Sequence, residues 1–198
     1  MKSSFISWSL DLIQKNKEIS ELDEKKLRYG LEGFYNVATK TIVFLLLAII
    51  FDVVPEYLVL TVVYSTLRLY GFGIHMKTSL QCWITSLPMY IGGCLLVVIP
   101  KNILMCIWII GYLSFMLFAP ADTPSRPLIR KNKRIRAKIL SIIILSIYFV
   151  VFLNSNNQIL NNLILYSVIM ESFAINPITY KLFHTSFNNY KQYQENMV

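Results

Sequence analysis

Apolar residues along this chain gather into six long runs, at about 37–54, 55–72, 79–99, 102–119, 137–153 and 159–175. Runs of that length predict helices that cross a bilayer, which takes about 20 residues with a range near 17–25. All six sit at or just under that length, so tilted spans and lysines that reach back to the interface are expected. Asp52-Val53-Val54-Pro55-Glu56 separates the first two runs. Proline disfavours helix at the residue before it and suits the first turn of a new one; a single kinked helix is the alternative. Pro88 predicts a kink in the third span. Ahead of the runs, Phe5, Ile6, Trp8, Leu12 and Ile13 recur near helical spacing, followed by Lys15 and Lys17. That predicts a short amphipathic helix, either lying on a membrane surface or packed on the rest of the protein. A second polar helix is expected from Glu21 to Lys40, opened by Ser20-Glu21-Leu22-Asp23 as cap and acidic first turn. The predicted class is an all-α polytopic membrane protein. It has an N-terminal helical region over 1–36, six spans over 37–175 and a tail over 176–198.

Composition agrees and narrows the picture. The 198 residues are 55% hydrophobic and only 15% charged, where a soluble domain carries roughly a quarter charged. Disorder, collagen and a disulfide scaffold are excluded. Cys82, Cys94 and Cys106 are an odd set in or beside apolar runs, without C-x-x-C spacing, so no metal or cofactor site is expected. The first forty residues hold no uninterrupted apolar stretch of the kind a signal peptide needs. The net charge of +8 is unevenly placed. With six spans, one side of the membrane receives residues 1–36, the 73–78 loop, the 120–136 loop and the tail. On or flanking that side lie 18 of the 19 lysines and arginines, leaving Lys101 alone opposite. The positive-inside rule then assigns both termini and these loops to the cytoplasm. No stacking platform accompanies the basic run, so the charge reads as topology rather than as a nucleic-acid footprint.

One stretch stands apart chemically: Arg68-Leu69-Tyr70-Gly71-Phe72-Gly73-Ile74-His75-Met76-Lys77-Thr78-Ser79-Leu80-Gln81-Cys82. A thiolate is the nucleophile in cysteine chemistry, and imidazole is the usual base that generates it at neutral pH. His75 and Cys82 are therefore a candidate peptidase dyad. The bland alternative is an interfacial histidine and a small apolar thiol. On an unbroken helix the seven-residue offset separates the two by about 10.5 Å along the axis, so a real dyad requires that 71–78 not be straight helix. Gly71 and Gly73 permit a turn. Thr78 or Ser79 would cap the next helix, putting Cys82 near its positive dipole end.

These residues resemble a known family. The run R-L-Y-G-F-G-I-H-M-K-T-S-L-Q-C is similar to the signature of accessory gene regulator B (AgrB), close to R-x-Y-x-G-G-x-H-A-x-x-x-x-x-C. Arg28-Tyr29-Gly30-Leu31-Glu32 resembles the family's stretch before its first span. Ala119-Pro120-Ala121-Asp122-Thr123, with Pro127-Leu128 and the basic run, resembles its A-P-hydrophobic-D…P loop. Phe72 departs from a frequent glycine and Met76 from a frequent alanine. The resemblance implies a membrane-embedded cysteine endopeptidase of the bacterial cell membrane, acting in quorum sensing on an AgrD-like propeptide. By it, Cys82 attacks the bond before the propeptide's acidic tail, and His75 activates the thiol. A Cys or Ser inside the propeptide then captures the acyl-enzyme as a thiolactone or lactone. The resemblance also implies a homodimer.

Further residues carry paired readings. Arg68 either orients substrate carboxylates or braces the 71–78 turn, or is a topology anchor. Gly73 serves backbone geometry, and Asp122 is a candidate to orient His75. The cations Arg126, Arg130, Lys131, Lys133, Arg134 and Arg136 set topology and attract anionic lipid, or steer the acidic propeptide tail toward Cys82. Glu171, inside the last run, is a functional candidate by default or a residue that snorkels to the interface. His184 in the tail is read as solvated. Competing classes are a small peptide transporter, for which mid-membrane ionisable groups are too few, and a non-catalytic scaffold or immunity protein, for which Cys82 would be dispensable.

Overall fold

The computed structural model describes residues 2–15, 19–76, 78–95, 101–124 and 127–195. Lys17, Lys77, Arg126 and the 96–99 end of the third predicted span lie outside them. Among the described residues the chain is helical throughout: α1 (Lys2–Gln14), α2 (Glu21–Ile50), α3 (Val54–Gly71), α4 (Ser79–Leu87) with a π-helical turn at Pro88–Gly92, α5 (Lys101–Phe118), α6 (Lys131–Asn154), α7 (Gln158–Ile175), α8 (Pro177–Leu182) and α9 (Tyr190–Glu195).

One 30-residue rod, α2, stands where a polar helix and a separate first span were expected. No proline interrupts Glu21–Ile50, and extending a nucleated helix costs little, so the polar and apolar halves fuse. Ser20 caps it by accepting the Asp23 backbone N–H at 3.2 Å. The helix stops at Ile50. Asp52 takes a positive φ of 55°, and Pro55 lies in the first turn of α3; two helices, not one kinked helix, occupy 21–71. In the third run, α4 gives way at Pro88 to the π-helical turn, since proline offers no backbone N–H to continue the α-helical ladder. The cations from Lys131 to Lys138 lie on the first two turns of α6 rather than in a 120–136 loop. Pro127 is the last breaker before them, and Lys and Arg are good helix formers.

Helix α7 is the axis of the packing. Ile164, Leu165, Val168 and Ile175 bury against Val63 and Leu67 of α3, Leu104, Trp108 and Phe115 of α5, and Leu145 and Phe152 of α6. A second cluster joins Phe44 and Ala48 of α2 to Tyr57 of α3 and Ile91 of the π-helical turn, with Trp83 and Tyr90 packed on it. Helix α1 lies on α2: Ile6 and Leu10 are buried, Phe5 meets Tyr35 at 5.4 Å, and Lys2 pairs with Glu32 at 3.1 Å. Trp8 and Leu12 of α1 face outward.

The outer surfaces are apolar too. Ile42, Leu46 and Ile49 on α2, Ile109, Ile110 and Leu113 on α5, and Ile139, Ile143 and Ile147 on α6 are all exposed. Water does not tolerate apolar faces that continuous, whereas hydrocarbon does. Helices α2, α6 and α7 are each long and apolar enough to cross a membrane, and α5 holds a shorter apolar stretch, Ile103–Phe118. These features mark a helical membrane protein.

Candidate functional site

The site is built where α3 ends. Arg68 lies in the last turn of α3, which closes at Gly71. Phe72 then takes φ 64° and ψ −103°, with its N–H on the Arg68 carbonyl at 3.1 Å, and Gly73 takes φ 86°. Two consecutive positive-φ residues throw the chain out of the helix axis into an extended segment. That segment is held from three directions. The Gly73 N–H donates to the Ala121 carbonyl at 2.8 Å, the Ala121 N–H to the Gly71 carbonyl at 2.9 Å, and the Ile74 N–H to the Ala174 carbonyl at 2.8 Å. From below, the Arg68 guanidinium donates to the Ile74 carbonyl and pairs with Glu171 at 3.2 Å.

Glycine is required here for space as well as for φ. A Cβ on Gly73 would sit 2.8 Å from Arg68 Nη1 and 2.9 Å from the Ala174 carbonyl oxygen. One on Gly71 would meet Glu171 Oε1 at 2.6 Å. Glu171 is wholly buried, so it does not snorkel; it anchors the guanidinium that holds the segment. Its Oε1 has no hydrogen-bond partner among the described residues.

His75 follows the pinned Ile74 directly. Ile74 is buried and His75 is exposed, as alternation along an extended strand dictates. Thr78 then caps α4, accepting the Gln81 N–H at 3.2 Å. Cys82 falls in the first turn of α4, its N–H on the Thr78 carbonyl at 3.1 Å. It is a half-buried free thiol. Lys40 of α2 reaches it, with Nζ 2.7 Å from Sγ.

Asp122 has partners of its own. Its carboxylate accepts the N–H groups of Leu128 at 3.2 Å, Asn189 at 2.8 Å and Tyr190 at 2.9 Å. Tyr180 donates to the Ala121 and Asp122 carbonyls at 3.1 and 3.0 Å, and burial pushes its phenol well above the ordinary range. Asp122 thus ties the tail to Leu128 and to the stretch beside Ala121, which braces Gly73. Of the cations, Arg134 is engaged internally: it donates to the Leu128 and Ile129 carbonyls at 2.7 and 2.8 Å and lies 3.9 Å over the Tyr190 ring. Arg130, Lys131, Lys133 and Arg136 are exposed. His184 is exposed in the tail. Among the described residues no three His, Cys, Asp or Glu side chains gather closely enough to hold a metal ion.

The arrangement is one strained, braced turn that leads into a capped helix bearing a thiol. Its chain-wide context decides the relationship: the family model for accessory gene regulator B matches residues 8–175. The chain belongs to the AgrB family. An AgrB-like protein of Listeria innocua is 31% identical over 179 residues, covering 85% of this chain and 84% of that protein. The accessory gene regulator protein B of Staphylococcus carnosus is 28% identical over 172 residues, covering 84% and 87%. An AgrB-like protein of Clostridium acetobutylicum is 24% identical over 185 residues, covering 92% and 88%. No solved structure matches. In this AgrB-family chain, reading the sequence brought Arg68, Gly73, His75 and Cys82 forward but passed over Lys40. The signal was present: Lys40 is the sole charged residue between Glu32 and Asp52.

Proposed function

We propose that this AgrB-family chain is a membrane-embedded cysteine endopeptidase that removes the acidic C-terminal tail of an AgrD-like propeptide and supports closure of a thiolactone or lactone signal for quorum sensing. The observation that carries this reading is the paired support of the two reactive side chains. Cys82 sits in the first turn of a capped helix, where the dipole favours negative charge on sulfur. His75 extends from a segment whose preceding residues, Gly73 and Ile74, are held by backbone hydrogen bonds and by Arg68.

In the proposed reaction His75 takes the proton from Cys82, and the thiolate adds to the carbonyl carbon of the scissile bond. As the tetrahedral adduct collapses, the C–N bond breaks, and the departing amine takes the proton back from His75. The thioester that remains is attacked by a thiol or hydroxyl of the propeptide itself, whose proton passes to His75; a new C–S or C–O bond forms, and Cys82 leaves as thiolate and regains that proton from His75. Apolar surroundings at the membrane interface disfavour water as the competing nucleophile.

The membrane arrangement belongs to the same proposal. Six crossings, with both termini on the basic, cytoplasmic face, put His75, Cys82 and the α6 cations on one side. Arg130, Lys131, Lys133 and Arg136 are then free for anionic lipid or for the propeptide tail. Arg68 and Gly73 act as positioning residues, and Asp122 organises the tail-bound loop beneath them. A homodimer is part of the reading. The test is co-expression with a candidate propeptide. Cys82→Ala and His75→Ala should each abolish release of the tail while the protein still inserts in the membrane. Processing by both variants would overturn the assignment.

A further inference from the structure

Lys40 demands an explanation. It lies in α2, a helix apolar enough to cross a membrane, and no other charge stands between Glu32 and Asp52. Charged side chains in such a setting are costly and find partners. Among the described residues the salt bridges involve other side chains, and no carboxylate pairs with Lys40. What the ammonium meets is sulfur. Nζ lies 2.7 Å from Cys82 Sγ and 3.5 Å from Ser86 Oγ, with the Trp83 ring at 5.7 Å.

The direction of these bonds is constrained. An ammonium has three donors and no acceptor, so sulfur must be the acceptor. A neutral thiol is a poor one, whereas a thiolate accepts a charge-assisted bond. Ser86 cannot substitute for a counter-charge. Its hydroxyl donates to the Cys82 carbonyl at 2.5 Å, which turns a lone pair toward Lys40 and fixes where Nζ sits. The Trp83 face adds a modest attraction for the cation. All three contacts come from one face of α4, at positions 82, 83 and 86, which the helical period gathers.

We infer that Lys40 is the counter-ion of the Cys82 thiolate, a third member of the site contributed by α2. This rests on the reading of Cys82 as the nucleophile. His75 removes the thiol proton; Lys40 keeps all of its protons and donates one hydrogen bond to the sulfur it faces. When sulfur attacks, its negative charge moves to the substrate oxygen and Lys40 retains Ser86 as acceptor. When the thioester is cleaved, Lys40 again stabilises the departing thiolate. The site therefore joins α2 to α4, and the sulfur is held from the α2 side independently of the 72–76 segment.

The test is thiol alkylation by iodoacetamide in the full-length protein in detergent, with Cys94 and Cys106 changed to Ala so that only Cys82 reports. Iodoacetamide reacts with thiolate, so the ratio of rates at pH 7 and pH 10 reads the ionised fraction at neutral pH. Lys40→Met should lower that ratio about tenfold, the size of effect an adjacent opposite charge produces, while the rate at pH 10 stays unchanged. Lys40→Arg should restore most of the ratio. An unchanged ratio in Lys40→Met, or rates lowered equally at both pH values, overturns the inference. The alkylation readout needs no propeptide. It separates failure of this inference from failure of the peptidase reading, which the Cys82→Ala processing test decides.

Discussion

Phe72 and Gly73 are the two residues that turn the chain from α3 into the extended segment before His75, and they solve the problem differently. Gly73 has no Cβ to clash at φ 86°. Phe72 carries a full side chain at φ 64° and ψ −103°, a region that costs an L-residue about 1–2 kcal/mol. Comparison of two truncations isolates that cost. Phe72→Gly should be more stable than Phe72→Ala by about 1 kcal/mol, the reverse of the usual ranking of Ala over Gly, as read from thermal unfolding in detergent. An Ala variant as stable as the Gly variant would show the backbone there to be unstrained. Gly73→Ala meets both the φ penalty and contacts of 2.8 and 2.9 Å. It should abolish propeptide processing while helical circular dichroism is kept, since the atoms met are the tip of the Arg68 side chain and the Ala174 carbonyl in the last turn of α7, not the packed apolar faces of the bundle.

At the scale of elements, α3 and α7 are joined by Arg68 and Glu171, and this pair connects the packing to the site. Glu171 is 0% exposed and Arg68 is 20% exposed at the side chain. Two charges placed that deep are weak evidence of stability, but removing one leaves the other unpaired, at about 3–5 kcal/mol. Arg68→Met and Glu171→Leu should each be strongly destabilising. The double variant should recover much of the loss, giving a large coupling in a cycle of detergent unfolding measurements. Additive losses would mean the two side chains do not interact. Arg68 also donates to the Ile74 carbonyl, so the recovered double variant should remain inactive. Arg68→Lys keeps the charge but not the planar fork that serves two acceptors, and should lose processing before it loses stability.

For the whole molecule the governing question is which surfaces face lipid and which face water. Exposed isoleucines and leucines on α2, α5 and α6 fit hydrocarbon. The capped α4 start, the α6 cations and the tail bound through Asp122 fit an aqueous face. If the six-crossing arrangement holds, alkaline phosphatase joined after Asp52 or Asn156 should be active outside the cytoplasm. The same reporter joined after Met76, Leu128 or Thr185 should be inactive. Activity at Met76 would put the proposed dyad on the wrong side for a cytoplasmic propeptide and would overturn the arrangement.

Much of this was legible in the residues alone, for physical reasons that act locally. Long apolar runs force helices because unpaired backbone groups are intolerable in hydrocarbon, Pro55 begins α3, Ser20 and Thr78 cap helices, and the chain leaves the helix at the glycines beside His75. Two features crossed that boundary badly. The separate polar helix expected over 21–40 merged into α2, because a change of polarity does not break a helix that lacks a proline, and the basic residues from Lys131 onward were helical because charge does not break one either. The remainder was decided only by tertiary packing. Arg68 meets Glu171 across 103 positions, Asp122 meets Asn189 across 67, and Lys40 meets Cys82 across 42. The first two pair polar groups that burial obliges to find a partner, and the third brings a half-buried ammonium onto a half-buried thiol. Local pattern marks such groups as needing a partner; only the way the helices pack selects which partner each one finds.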